Sequence, residues 1–110
     1  MKSTIQRSKK KSIIDYNKLP IDLKEQLKLM YSDGYHEELI TYKDAQGQRI
    51  SALRFETDTI IYMIRMSKEL ACEIMDDDDD FNDDYSLKSN KKIAYTDKHA
   101  DNDYLVYSED

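Results

Sequence analysis

The strongest pattern in the chain lies between residues 38 and 66, ELITYKDAQGQRISALRFETDTIIYMIRM, where β-branched and aromatic residues concentrate. It reads as three short strands joined by two tight turns. Leu39, Ile40, Thr41 and Tyr42 are strand formers. Asp44-Ala45-Gln46-Gly47 reads as a type I turn with Gly47 in the left-handed position and a bulge. That loop predicts pairing of Tyr42 with Ile50 and of Leu39 with Leu53. A second turn around Thr57-Asp58 predicts Phe55 opposite Ile60 and Leu53 opposite Tyr62. Strand side chains alternate, so one face carries Leu39, Leu53, Phe55, Ile60, Tyr62, Ile64 and Met66. The other carries Ile40, Tyr42, Ile50, Ala52, Arg54, Ile61, Met63 and Arg65. A slip of one residue at either turn would exchange the two faces.

Helical patterns flank these strands. Pro20 suits a first helical turn, and Asp22 and Glu25 complement the dipole at its start. Leu23, Leu27 and Met30 form a stripe extended by Leu19, and Gly34 can adopt the left-handed conformation after it. These signals predict a helix over about residues 20–31, packed on the apolar face. Ser67 can cap a short helix over 68–75 carrying Leu70, Ala71, Ile74 and Met75. Ile13-Ile14-Asp15-Tyr16 predicts a short extended segment or a docking turn.

The expected fold is therefore α+β: one helix on a three-stranded antiparallel meander, a short helix, and a largely disordered acidic tail. Three regions follow: a basic disordered arm at 1–12, a small α+β domain at 13–75 and the tail at 76–110. Charge supports the division. Residues 1–75 carry 13 Lys/Arg against 11 Asp/Glu, and residues 76–110 carry 4 Lys against 12 acids, so the overall −6 belongs to the tail. In Asp76–Asp84, seven of nine residues are aspartate, and self-repulsion should keep that run extended. Residues 88–100 hold Lys88, Lys91, Lys92 and Lys98, which could fold back on the aspartates.

Candidate chemistry is sparse. Read as a calcium loop from Asp76, the aspartate run has Phe81 at the glycine position and Leu87 at the terminal glutamate position, so no specific site is expected. Cys72 has no base beside it in sequence, and a single cysteine points to a reducing compartment. His36 beside Glu37 and Glu38 reads as a surface residue. Neither glycine belongs to a phosphate loop. The expectation is no enzyme, no cofactor and no metal. The N-terminus lacks the apolar core of a secretory signal, and the longest apolar run, Ile60–Ile64, is too short to span a bilayer. The expected location is the cytoplasm, with no membrane partner.

Interaction with another protein fits more of the chain. The third strand, Thr59–Met66, is apolar on both faces and would be an edge in a simple meander. Exposed apolar edges are normally covered: here by a second copy, by a partner, or by Tyr104–Tyr107 added as a strand. The predicted partner-binding residues are Tyr42, Arg54, Ile61, Met63 and Arg65 on the second face, Asp76, Asp77, Asp78, Asp79 and Asp80 in the run, and Tyr104 and Tyr107. The expected function is a non-catalytic interaction or regulatory protein whose acidic tail engages a basic partner, with homodimerisation through the edge strand or second face as one form. The alternative is a small nucleic-acid-binding protein using Lys9, Lys10 and Lys11 with the Arg-bearing face.

The run IDYNKLP…MYSDGYHEELITY…GQRISALRFETDTIIYMIRMS, followed by the aspartate block, resembles small acidic-tailed bacterial proteins of unknown function. The resemblance implies a bacterial cytosolic protein and assigns no site residues.

Overall fold

In the computed structural model, which describes residues 9–100, the chain is α+β with a four-stranded mixed sheet. The strands are β1 (Lys10–Asp15), β2 (Ile40–Lys43), β3 (Arg49–Glu56) and β4 (Ile60–Arg65), in the order β1-β4-β3-β2. The helices are α1 (Ile21–Met30), α2 (Lys68–Asp76) and α3 (Ser89–Lys98), with a 3₁₀ turn at Tyr16–Lys18.

The antiparallel part follows the sequence closely. Tyr42 pairs with Ile50. The Asp44 N–H donates to the Gln48 carbonyl at 2.9 Å, and the Asp44 carbonyl accepts from Gly47 N–H at 2.9 Å. Gly47 has φ +81°, the left-handed position such a bulge requires. At the second turn the register differs from expectation by two residues: Phe55 faces Tyr62 and Leu53 faces Ile64. Thr57 sets it. Its N–H donates to the Ile60 carbonyl at 2.8 Å, and its hydroxyl oxygen accepts from Ile60 N–H at 3.0 Å. Asp58 and Thr59 therefore form the turn. An even shift preserves side-chain parity, so the predicted faces survive. Leu53, Phe55, Ile64 and Met66 are buried together with Leu27, Ala71 and Met75.

The three-stranded meander is corrected by β1, which runs parallel to β4 from Lys10↔Ile60 to Asp15↔Arg65. Strand β1 thus pairs with the β4 edge that the sequence left open. The predicted boundary at residue 12 falls inside this strand. Charges pin both ends: Lys9 Nζ lies 2.6 Å from Glu56 and Arg65 lies 2.9 Å from Asp15. Between them, Ile14 packs on the core while Ile13 faces the other way.

The larger correction concerns the acidic segment. Of the predicted disordered tail at 76–110, residues 76–100 carry helices and a bridge instead, and residues 101–110 lie outside the described residues. Phe81 and Leu87 form a bridge and are each 6% exposed. Phe81 meets the Tyr35 ring edge-on at 5.6 Å, and Leu87 N–H donates to the Ser32 carbonyl at 2.7 Å. The two positions that disqualified a calcium loop are core residues. Composition alone favoured an extended run; two apolar side chains and one buried lysine, described below, offset its repulsion.

Gly34 lies in the loop between α1 and β2, packed beside Tyr85 of the acidic segment. Its φ is +108°, and an added Cβ would stand 3.1 Å from the His36 ring and 3.1 Å from the Tyr85 carbonyl oxygen. At Gly47 an added Cβ meets nothing within 4 Å. Gly34→Ala is therefore expected to cost about 1–3 kcal/mol, and more than Gly47→Ala, which meets backbone strain alone. Urea unfolding of the two variants measures the difference.

Candidate functional site

Sheet parity places Tyr42, Arg54, Ile61, Met63 and Arg65 on one face, as the sequence predicted. None of them joins the core cluster. Ile13, opposite Met63, and Ile40, opposite Ala52, extend this face across all four strands. Ile13 is 55% exposed and Ile40 39%. Met63 and Ala52, on the two central strands, are buried. The exposed apolar residues of this face, Ile13 and Ile40, stand at its two outer strands. Both arginines are half-exposed and each is held by an acid on the same face: Arg54 by Glu56 at 2.9 Å and Arg65 by Asp15 at 2.9 Å. Glu56 also accepts from Lys9, which with the Arg54 contact holds its carboxyl below the usual range. Ile13 and Ile40 were missing from the predicted site because β1 was not expected and Ile40 was not singled out from its face.

The predicted aspartates divide. Asp78 and Asp80 turn inward onto Lys28, at 2.6 and 2.8 Å from its Nζ. Tyr95 donates its hydroxyl proton to Asp80 at 2.6 Å, and Lys91 stands 3.8 Å away. Burial alone would raise the Asp80 carboxyl, but hydrogen bonds from Lys28 and Tyr95 outweigh it and hold it below the ordinary range. Burial and the Asp80 carboxylate push the Tyr95 phenol up to about 12. Asp76, Asp77 and Asp79 are exposed. The neighbouring Asp76 carboxylate raises the Tyr85 phenol to about 12.

Of the lysines predicted for nucleic acid, Lys11, opposite Ile61, falls on the Arg-bearing face and Lys10 on the other. Lys9 is tied to Glu56 and donates to the Thr57 carbonyl at 3.1 Å. Lys10 and Lys11 are exposed. Tyr104 and Tyr107 lie outside the described residues. Cys72 is half-buried on α2.

A cluster that sequence reasoning missed joins α3 to α1. Glu25 accepts from Lys98 at 2.9 Å and lies 2.8 Å from His99 Nε2. Asp22, one turn earlier on α1, is 3.8 Å from Lys98. Burial would raise the Glu25 carboxyl, but the hydrogen bonds from Lys98 and His99 outweigh it and hold it low. A signal for this docking existed. Lys91, Tyr95, Lys98 and His99 recur at i, i+4, i+7 and i+8, a helical stripe that is polar.

Among the described residues no helix is long and apolar enough to cross a membrane. Compared with known protein families, with curated proteins and with solved structures, the chain shows no match.

Proposed function

We propose that this protein is a non-catalytic interaction module that binds a protein partner through the open sheet face. The observation that carries this reading is the exposure of Ile13 and Ile40 on a face whose residues stand outside the main hydrophobic cluster, although Ala52 and Met63 at its middle are buried. Apolar centres rimmed by arginine are the composition of protein interfaces. Ile13, Ile61, Met63 and Ile40 would form the centre, with Tyr42 beside them. Arg54 and Arg65 would form the rim, exchanging their intramolecular acids for acids of the partner. Exposed Asp76, Asp77 and Asp79 supply a separate acidic surface for a basic segment of the same partner.

Site-specific photo-crosslinking tests the reading. A photoreactive residue at position 13 or 40 is expected to trap the same partner. One at position 93, exposed on α3, should not. Charge reversal of Arg54 and Arg65 should weaken both cross-links. Equal trapping from position 93, or none from 13 and 40, would remove the open face from the account. Trapping of nucleic acid in place of protein would instead support the basic alternative.

A further inference from the structure

We propose that Asp22, Glu25 and His99 form a binding site for a divalent transition-metal ion of the zinc type, which would clamp α3 onto α1. One donor atom from each of the three side chains lies within 4.8 Å of the other two. Asp22 and Glu25 are spaced i, i+3 and so share one face of α1. His99 arrives from the C-terminal cap of α3. A buried imidazole in contact with Glu25, with a donor oxygen of Asp22 within 4.8 Å, sets this cluster apart from the aspartate run, which offers carboxylates alone. His99 is 7% exposed and its Nε2, the atom nearest Glu25, would be the metal ligand.

Donor chemistry selects the ion. One imidazole nitrogen and two carboxylate oxygens suit zinc and its first-row neighbours better than calcium or magnesium, which prefer oxygen alone. Tetrahedral zinc holds its donors roughly 3.4 Å apart, from bond lengths of about 2.1 Å. His99 and Glu25 stand at 2.8 Å in a direct hydrogen bond, which would open by about half an ångström to admit the ion between them. Asp22, whose side chain is 60% exposed, can close the remaining distance by rotation and leaves a side open for a water ligand.

Lys98 is the competitor. Its ammonium contacts both carboxylates, so the two acids and one lysine carry a net −1. A divalent ion in its place would neutralise the pair of carboxylates. Lys98 is 53% exposed and can swing into water.

Calorimetric titration of the full chain with zinc, and absorption spectroscopy with cobalt(II) as a stand-in, test the site. One saturable ion per chain is expected. Asp22→Asn should weaken zinc by at least about tenfold with only a small fall in the metal-free melting temperature, since Asp22 is exposed and loses only a first-turn charge and a long contact with Lys98. His99→Gln should change the cobalt ligand-field spectrum. Lys98→Met should tighten binding several-fold, an effect that a purely structural role for Lys98 would not produce. The proposal fails if neither the parent chain nor Lys98→Met binds zinc at millimolar concentration. It also fails if Asp22→Asn and His99→Gln leave binding unchanged while Asp→Asn changes at 76, 77 and 79 abolish it, which would place the ion on the aspartate run.

Discussion

Lys28→Ala is expected to destabilise the fold by about 3–5 kcal/mol, the usual consequence of breaking a buried ion pair by removing one partner. Total stabilities of small domains run to about 5–15 kcal/mol, so this one change would consume much of the reserve. The lysine side chain is 10% exposed, and its ammonium sits between Asp78 and Asp80. Burial would lower its pKa, but the two aspartates outweigh that and raise it. Without it, two carboxylates face each other with Tyr95 as the nearest donor to Asp80. Replacing the network as a whole should be milder. Lys28→Met combined with Asp78→Asn and Asp80→Asn removes all three charges, and is expected to recover more than half of the loss. Urea midpoints of the parent, the single and the triple variants decide between these outcomes.

The same network sets an acid limit. Asp80 is held below the ordinary carboxylate range in the folded state. Its contribution is therefore present above the unfolded value, about 4, and is lost as pH falls through the folded value. Glu25 and Glu56 shift in the same direction. Lys28, raised in the fold, contributes below its unfolded value near 10.4 and loses that contribution only as pH rises through the folded value. Stability should decline on the acid side, below about pH 4, and the triple variant should decline less steeply there.

A chain ending at residue 75 is expected to lack a cooperative unfolding transition. It would lose Phe81 and Leu87, both members of the core cluster, and leave Lys28 buried without its two aspartates. Phe81→Ala alone should cost about 3–5 kcal/mol, the usual range for emptying a buried aromatic site. Near-ultraviolet circular dichroism during thermal unfolding measures both. A truncated chain that melts as sharply as the full one would mean that the acidic segment adds nothing to the core.

Local features of the fold were legible in the sequence. The Asp44–Gly47 turn, the helix after Pro20, the Ser67 cap, whose hydroxyl oxygen accepts from Leu70 N–H at 3.0 Å, and the two sheet faces follow from turn chemistry and periodicity. What was not legible depends on partners distant in sequence. The chain start became a strand because β4 offered an apolar edge and because Glu56 and Arg65 matched Lys9 and Asp15. No local signal in KKSIID announces those partners. The acidic segment was misread because charge density dominates its composition, whereas two apolar residues and one lysine 50 or more positions away decide its conformation. Helix α3 was missed because its binding stripe is polar and Ile93, its one large aliphatic residue, is 65% exposed. For the candidate interface, parity gave the face but not its full extent, since Ile13 joins it only through β1.

Residues 76–98 belong to the folded unit, and the open sheet face is left as the surface for the proposed partner. Amide hydrogen exchange followed residue by residue tests their place in the fold directly. The N–H of Leu87, bonded to the Ser32 carbonyl, and that of Lys88, bonded to the Asp80 carbonyl at 2.8 Å, should be protected to a degree comparable with the amides of α1. The interior amides of α3 should be protected with them, and Lys28→Ala should lower all of these together. Exchange of these amides at the rate of an unstructured peptide, with α1 and the sheet still protected, would contradict the account.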